Sequence, residues 1–174
     1  KSLKKNDPNH LNLGIRYGYI EQLDDELLRI SKESFDALSF NCYALSPDHE
    51  KMNHALEISG LPMIIGEYHF GTVDRGLAQS LWQVNSQKER GDAFRYYTEN
   101  AFAHRGLIGT GWFRWIDQNI NGRTDGENYN CGFIDVTDRP YPYMVDAAIK
   151  TAKSLYEIHS GTKTPFHQAP NAVG

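Results

Sequence analysis

The sequence predicts an α/β domain built on a parallel sheet, and three observations carry that reading. Four short apolar segments alternate with four stretches of helical period, the pattern of parallel strands joined by helical crossovers. Two connections run long, residues 71–86 and 116–140, and both follow strands; connections after helices stay short. The chain has 174 residues, 40% hydrophobic and 23% charged, which is enough for one folding unit with a buried core and typical of globular proteins.

The elements follow in order. A first strand over 11–17 leads to a helix over 24–34, where Asp24 and Asp25 suit the positive N-terminal end. A second strand over 37–43 leads to a helix over 48–58 that stops at Gly60. The third strand, 63–70, leads through its long loop to a helix over 87–104 with Phe94, Tyr97, Ala101 and Phe102 inward, closed by Gly106. The fourth strand, 107–115, is followed by the second long loop and a last helix over 141–159. That helix carries Met144, Val145, Ala148, Ile149, Ala152 and Leu155 on one stripe, and the spacing predicts that this stripe is buried. Residues 1–160 form the folded part. The tail, 161–174, has two prolines and no periodicity and is expected to be unstructured.

Composition excludes several functions. The formal charge is −4, and apart from Lys1, Lys4 and Lys5 the basic residues are scattered, so no basic face is available for nucleic acid. No apolar run approaches the roughly 18 residues that span a bilayer, and the first residues lack a signal-peptide core. Cys42 and Cys131 are far apart, match no metal spacing and demand no disulfide. No histidine pair has zinc-site spacing, and Asp125, Glu127 and Asn128 do not follow the calcium-loop pattern. Neither metal nor cofactor is expected.

Long loops after strands form the functional face of β/α architectures, so candidate chemistry is sought at the strands' C-terminal ends. In the third strand strict alternation puts Met63, Ile65, Glu67 and His69 on one face. That face turns charged only at its end. A carboxylate there is either bonded to a neighbouring strand as a structural group or used in chemistry. Leu38, Phe40 and Cys42 share one face of the second strand and Ser39, Asn41 and Tyr43 the other. A phenol such as Tyr43 can orient a nearby carboxylate. Arg16, on a face with Asn12 and Gly14, either reaches the same cavity or pairs with a glutamate. Trp112 and Trp115 suit either core packing or stacking against sugar C–H faces. The loop that follows holds Asp117, Gln118, Asn119, Asn121, Arg123, Asp125, Glu127, Asn128 and Asn130, groups that can bond hydroxyls or simply face water.

Several of these segments together resemble one family. Ile65-Gly-Glu-Tyr-His-Phe-Gly71, Asp74-Arg-Gly76, Gly111-Trp-Phe-Arg-Trp-Ile-Asp117 and Gly122-Arg-Thr-Asp-Gly-Glu-Asn-Tyr-Asn-Cys-Gly-Phe133 are similar to the C-terminal half of the β-agarases of glycoside hydrolase family fifty, and more distantly to barrel β-galactosidases. The resemblance runs from about residue 11 to residue 160. It implies strands five to eight of a (β/α)8 TIM barrel that cleaves β-galactosidic linkages in an agarose-like polysaccharide with retention. Glu67 matches the nucleophile, Tyr43 the tyrosine that bonds it, and Trp112 the tryptophan beside it. Trp115 joins them as a stacking platform, with Asn41, His69, Asp125, Glu127 and Asn128 as substrate contacts or their supports.

The resemblance also implies an acid/base glutamate after an asparagine on an earlier strand, and no such pair lies upstream of residue 11. Retaining hydrolysis needs two carboxyl groups, and neither Glu99, on a helix, nor Glu127, deep in a loop, substitutes for the second. The expected partners are therefore a galactan-type oligosaccharide and either the remaining N-terminal half of the barrel or a second copy of this chain, since open sheet edges invite association. The isolated chain is expected to be inactive. A non-catalytic carbohydrate-binding half-barrel is the alternative, and the resemblance favours a periplasmic or secreted setting.

Overall fold

The structure, a computed structural model, describes residues 2–174. In chain order its elements are α1 (Ser2–Asn6), β1 (Arg16–Tyr17), a 3-10 turn (Ile20–Gln22), α2 (Asp25–Ser34), β2 (Leu38–Asn41), α3 (His49–Ser59), β3 (Met63–Tyr68), α4 (Gln87–Phe102), β4 (Leu107–Trp112) and α5 (Pro142–His159). At the starts of α2, α3 and α4 side chains satisfy free N–H groups. Asp24 accepts from Leu27 N at 2.8 Å, Asp48 from Glu50 N and Lys51 N, and Ser86 from Glu89 N at 3.2 Å. Gly60 ends α3 in the left-handed conformation, φ 66°, as C-terminal glycines do.

The chain divides into two compact units. The first comprises the residues up to Cys42, Asp48–Glu67 and Gly106–Gly111, and it holds the sheet, in the order β1-β2-β3-β4. β1 pairs with β2 and β2 with β3, both in parallel. Leu38, Phe40, Met63 and Ile65 are wholly buried. The first strand is much shorter than its apolar run predicts. Gly14 takes φ +72°, which breaks the extended path, and Asn12 instead bonds backbone, from Asp36 N and to Ser34 O. Leu11, Leu13 and Ile15 consequently remain exposed. Of the basic cluster, Lys4 pairs with Asp36 on the exposed α1; Lys1 lies outside the described residues.

β3 also departs from simple alternation. Phe40 pairs with Ile65, but Asn41 pairs with Glu67, so Gly66 is an extra residue in a β-bulge. A bulge shifts the phase of the strand by one. Glu67 leaves the face of Met63 and Ile65, on which strict alternation places it, and joins the face of Asn41. Buried positions resume at Tyr68.

The second unit comprises Tyr43–Pro47, Tyr68–Arg105 and Trp112–Gly174. Its core is α4 against α5 together with an aromatic cluster, in which Tyr68 stacks on Tyr97 at 4.1 Å and meets Trp112 edge-on at 5.1 Å. α4 buries Arg90, Phe94, Tyr97 and Ala101, while Phe102 is half-buried. Of the predicted stripe α5 fully buries only Met144: it faces inward together with Ala147, Thr151, Ser154 and Ile158, whereas Val145 and Ile149 are exposed. The cause lies on α4. A Cβ on Gly91 would stand 2.6 Å from Tyr143 O, so the helices approach too closely there for large side chains. Further along, the buried Glu99 accepts from Thr151 Oγ1 at 3.1 Å and Arg95 Nε at 3.0 Å.

The tail, expected to be unstructured, forms no helix or named strand but is fastened at several places, beginning with Lys163 Nζ, which donates to Ser154 Oγ at 2.6 Å. Val173 exchanges backbone bonds with Gln83. Phe166 N donates to Glu99 at 2.8 Å, and its ring lies 4.4 Å from the Arg95 guanidinium carbon.

Candidate active site

In the first unit, Glu67 lies near the C-terminal end of β3 with its carboxylate held on both oxygens. Arg16 Nη1 is 2.7 Å from Oε1, and Asn41 Nδ2 donates to Oε2 at 3.2 Å. The Glu67 side chain keeps 18% exposure, so a ligand can reach it. Asn41 brings a second feature. With its amide N–H on Glu67, its Oδ1 is buried and has no hydrogen-bond partner among the described residues. Buried acceptors are normally satisfied, and leaving one unmet costs about 1–3 kcal/mol. Reversing the amide would turn an oxygen toward a carboxylate, so the open acceptor is a property of the site.

The remaining predicted residues belong to the second unit, where most are committed to the protein itself. His69 is 2% exposed. Its Nδ1 donates to Phe113 O at 3.0 Å and its Nε2 accepts from Leu81 N at 3.2 Å. Both ring nitrogens are therefore used, and through them His69 joins the end of β4 to the loop after β3. Tyr43 packs edge-on against it at 4.9 Å. Burial pulls the His69 imidazole down to about 4, with the Phe113 carbonyl opposing and the Arg90 charge adding to the shift.

That shift has a consequence for stability. His69 stays neutral in the folded chain while an unfolded histidine protonates near pH 6.5, so the unfolded state binds the extra proton as pH falls from 6.5 to about 4. Roughly 3 kcal/mol of stability is lost across that window and nothing further below it. Urea denaturation of the wild type and His69→Gln at pH 7 and pH 4.5 checks this: the wild-type advantage shrinks with acid, whereas a constant difference contradicts it.

Trp112 is half-buried and donates from Nε1 to Cys131 O at 2.7 Å. Trp115 is 67% exposed and stacks on Phe133 at 5.9 Å, which leaves one ring face to solvent. The polar loop largely bonds itself. Arg123 grips Asp125 and Glu127, and Gln118 donates to Glu127 at 2.7 Å. Asn128 donates to Ile120 O and accepts from Ala78 N. Asp125, Glu127 and Asn128 thus shape the loop.

Sequence reasoning missed the buried network that supports this loop. Asp117, 4% exposed, accepts from Gly132 N, Asn130 Nδ2 and Tyr141 OH. Arg90 donates to Gln87, Asn130 and the carbonyls of Phe70 and Gly132. A signal existed: residues 90, 94, 97 and 101 form one helical stripe, so Arg90 occupies a core position. Burial lowers the Arg90 guanidinium, with Asp117 the main opposing charge, and it pushes the Cys131 thiol up to about 12, leaving that thiol inert. Among the described residues no cluster of three or more His, Cys, Asp or Glu is placed to hold a metal ion, and no helix is long and apolar enough to cross a membrane.

Against known proteins, no protein-family model matches the chain. It is 38% identical over 180 residues to β-agarase A of Vibrio sp. (strain JT0107), across 99% of this chain and 18% of that protein. The chain is β-agarase-like. β-Agarase B of the same organism is 36% identical over 163 residues, across 90% of the agarase-like chain and 16% of its own length. The solved structure of an exo-β-agarase superposes with a TM-score of 0.84 at 34% identity, covering 93% of this chain and 22% of that one. The structural neighbours of the agarase-like chain are TIM-barrel glycoside hydrolases. It spans less than a fifth of the length of the curated relatives it matches.

Proposed function

We propose that this chain supplies strands five to eight of a (β/α)8 glycoside hydrolase that cleaves β-galactosidic linkages of an agarose-like polysaccharide with retention, Glu67 being the nucleophile. The observation that carries the proposal is the Glu67 carboxylate itself, reachable at a strand end and gripped on separate oxygens by Arg16 and Asn41. Its bond to the anomeric carbon forms as the glycosidic C–O bond breaks, and the departing oxygen takes its proton from a second carboxyl group. That group comes from the other half of the barrel, carried by another segment or by a second copy. Water then attacks the glycosyl ester and restores the carboxylate. The open Asn41 Oδ1 accepts from a sugar hydroxyl, and Trp115 offers its free face to a sugar ring.

Covalent trapping tests this. The complete enzyme, treated with a 2-deoxy-2-fluoro-β-galactoside bearing a good leaving group, should lose activity and carry one fluorosugar ester on the peptide containing Glu67. A label on another carboxylate overturns the assignment. Binding of agaro-oligosaccharides without label or turnover favours the carbohydrate-binding alternative.

A further inference from the structure

We infer that Arg16 positions the carboxylate of Glu67 for attack, and that residue 66 is glycine because the arginine stem occupies the space a side chain would fill. The inference rests on Glu67 being the nucleophile. A Cβ built on Gly66 stands 2.4 Å from Arg16 Cδ, 3.1 Å from Arg16 Cγ and 3.2 Å from Ser39 Oγ. Gly66 is not among the positive-φ glycines, so its backbone is open to any residue and space alone excludes a side chain. Arg16 pairs with Ser39 in the β1–β2 ladder, which sets its stem on the same face as the bulge. From there its Nη1 reaches Glu67 Oε1 at 2.7 Å. The bulge brings Glu67 onto that face, and the missing side chain at its extra residue lets the arginine lie across it.

The pair has little to do with stability. The Arg16 side chain is 52% exposed, and ion pairs of that kind contribute little to folding. Fixing one carboxylate oxygen matters instead for reaction geometry, where a misplacement of about 1 Å costs on the order of 100-fold. Alanine at position 66 meets chiefly a flexible side chain, so the protein should accommodate it by pushing Arg16 away from Glu67.

A double-mutant cycle in the complete enzyme, with Arg16→Ala, Gly66→Ala and both together, provides the test. Arg16→Ala should lower kcat by about 10- to 100-fold, with KM changed less than about threefold and the melting temperature nearly unmoved, and Arg16→Lys should recover part of the loss. Gly66→Ala should lower kcat to a similar degree, and the double variant should be no slower than Arg16→Ala alone. Multiplying effects, or an Arg16→Ala enzyme with unchanged kcat, overturn the inference. Should Gly66→Ala fail to fold while the double variant folds, the stem is shown to fill that space; if neither folds, backbone crowding excludes the side chain and the inference falls. Glu67→Gln run alongside separates the levels: turnover retained there defeats the nucleophile reading, independently of the cycle.

Discussion

Glutamine at position 67 should reduce turnover of the complete enzyme by roughly 10⁴-fold or more while leaving oligosaccharide binding within a few-fold of wild type. The substitution keeps the shape of the side chain and its contact with Arg16 but removes the negative charge. A neutral amide neither attacks an anomeric carbon well nor stabilises the oxocarbenium-like transition state beside it. Binding, which in the proposed reading draws on other groups such as Trp115, should survive. Glu67→Ala sharpens the result. Azide in the emptied space should restore part of the turnover of an activated β-galactoside and yield the α-galactosyl azide, because the small anion enters from the face Glu67 held. Wild-type turnover by the glutamine variant, or a β-configured azide product, would falsify the nucleophile role.

The helices of this fold are legible in the sequence because capping is local chemistry. Asp24, Asp48 and Ser86 each precede a helix and accept from its first turn, and Gly60 closes α3. Strand parity was less legible. Strict alternation groups Glu67 with Met63 and Ile65, and one inserted residue reverses that grouping; glycine inside a strand is the available hint of a bulge. The inward face of α5 is legible at Met144 but not beyond it, for another reason. Apolar periodicity chose Val145 and Ile149, whereas Gly91 and Glu99 on α4 select small and hydroxyl-bearing partners such as Ala147 and Thr151. In the long loop, composition shows polar groups but not their partners, which are mostly in the same loop.

Arg90→Met should be the most destabilising single change in the second unit, by about 3–5 kcal/mol, or roughly 10 °C in melting temperature for a chain of this size. Arg90 is fully buried, and its guanidinium satisfies Gln87, Asn130 and the carbonyls of Phe70 and Gly132, with the Tyr141 ring 5.0 Å away. Methionine matches much of the volume, so the cost is electrostatic: the acceptors lose their donor, and Asp117 becomes a buried anion whose balancing cation is gone. Burying a charge pair gains little over apolar packing, but removing one member leaves the other uncompensated. The comparison that isolates this term is Asp117→Asn in the Arg90→Met background, which removes the stranded charge and should return part of the lost stability. Urea denaturation of the three proteins decides between the accounts. Independent, adding losses would mean that Arg90 and Asp117 do not balance each other, and a loss below about 1 kcal/mol for Arg90→Met would mean that packing alone holds α4 to the loop after β4.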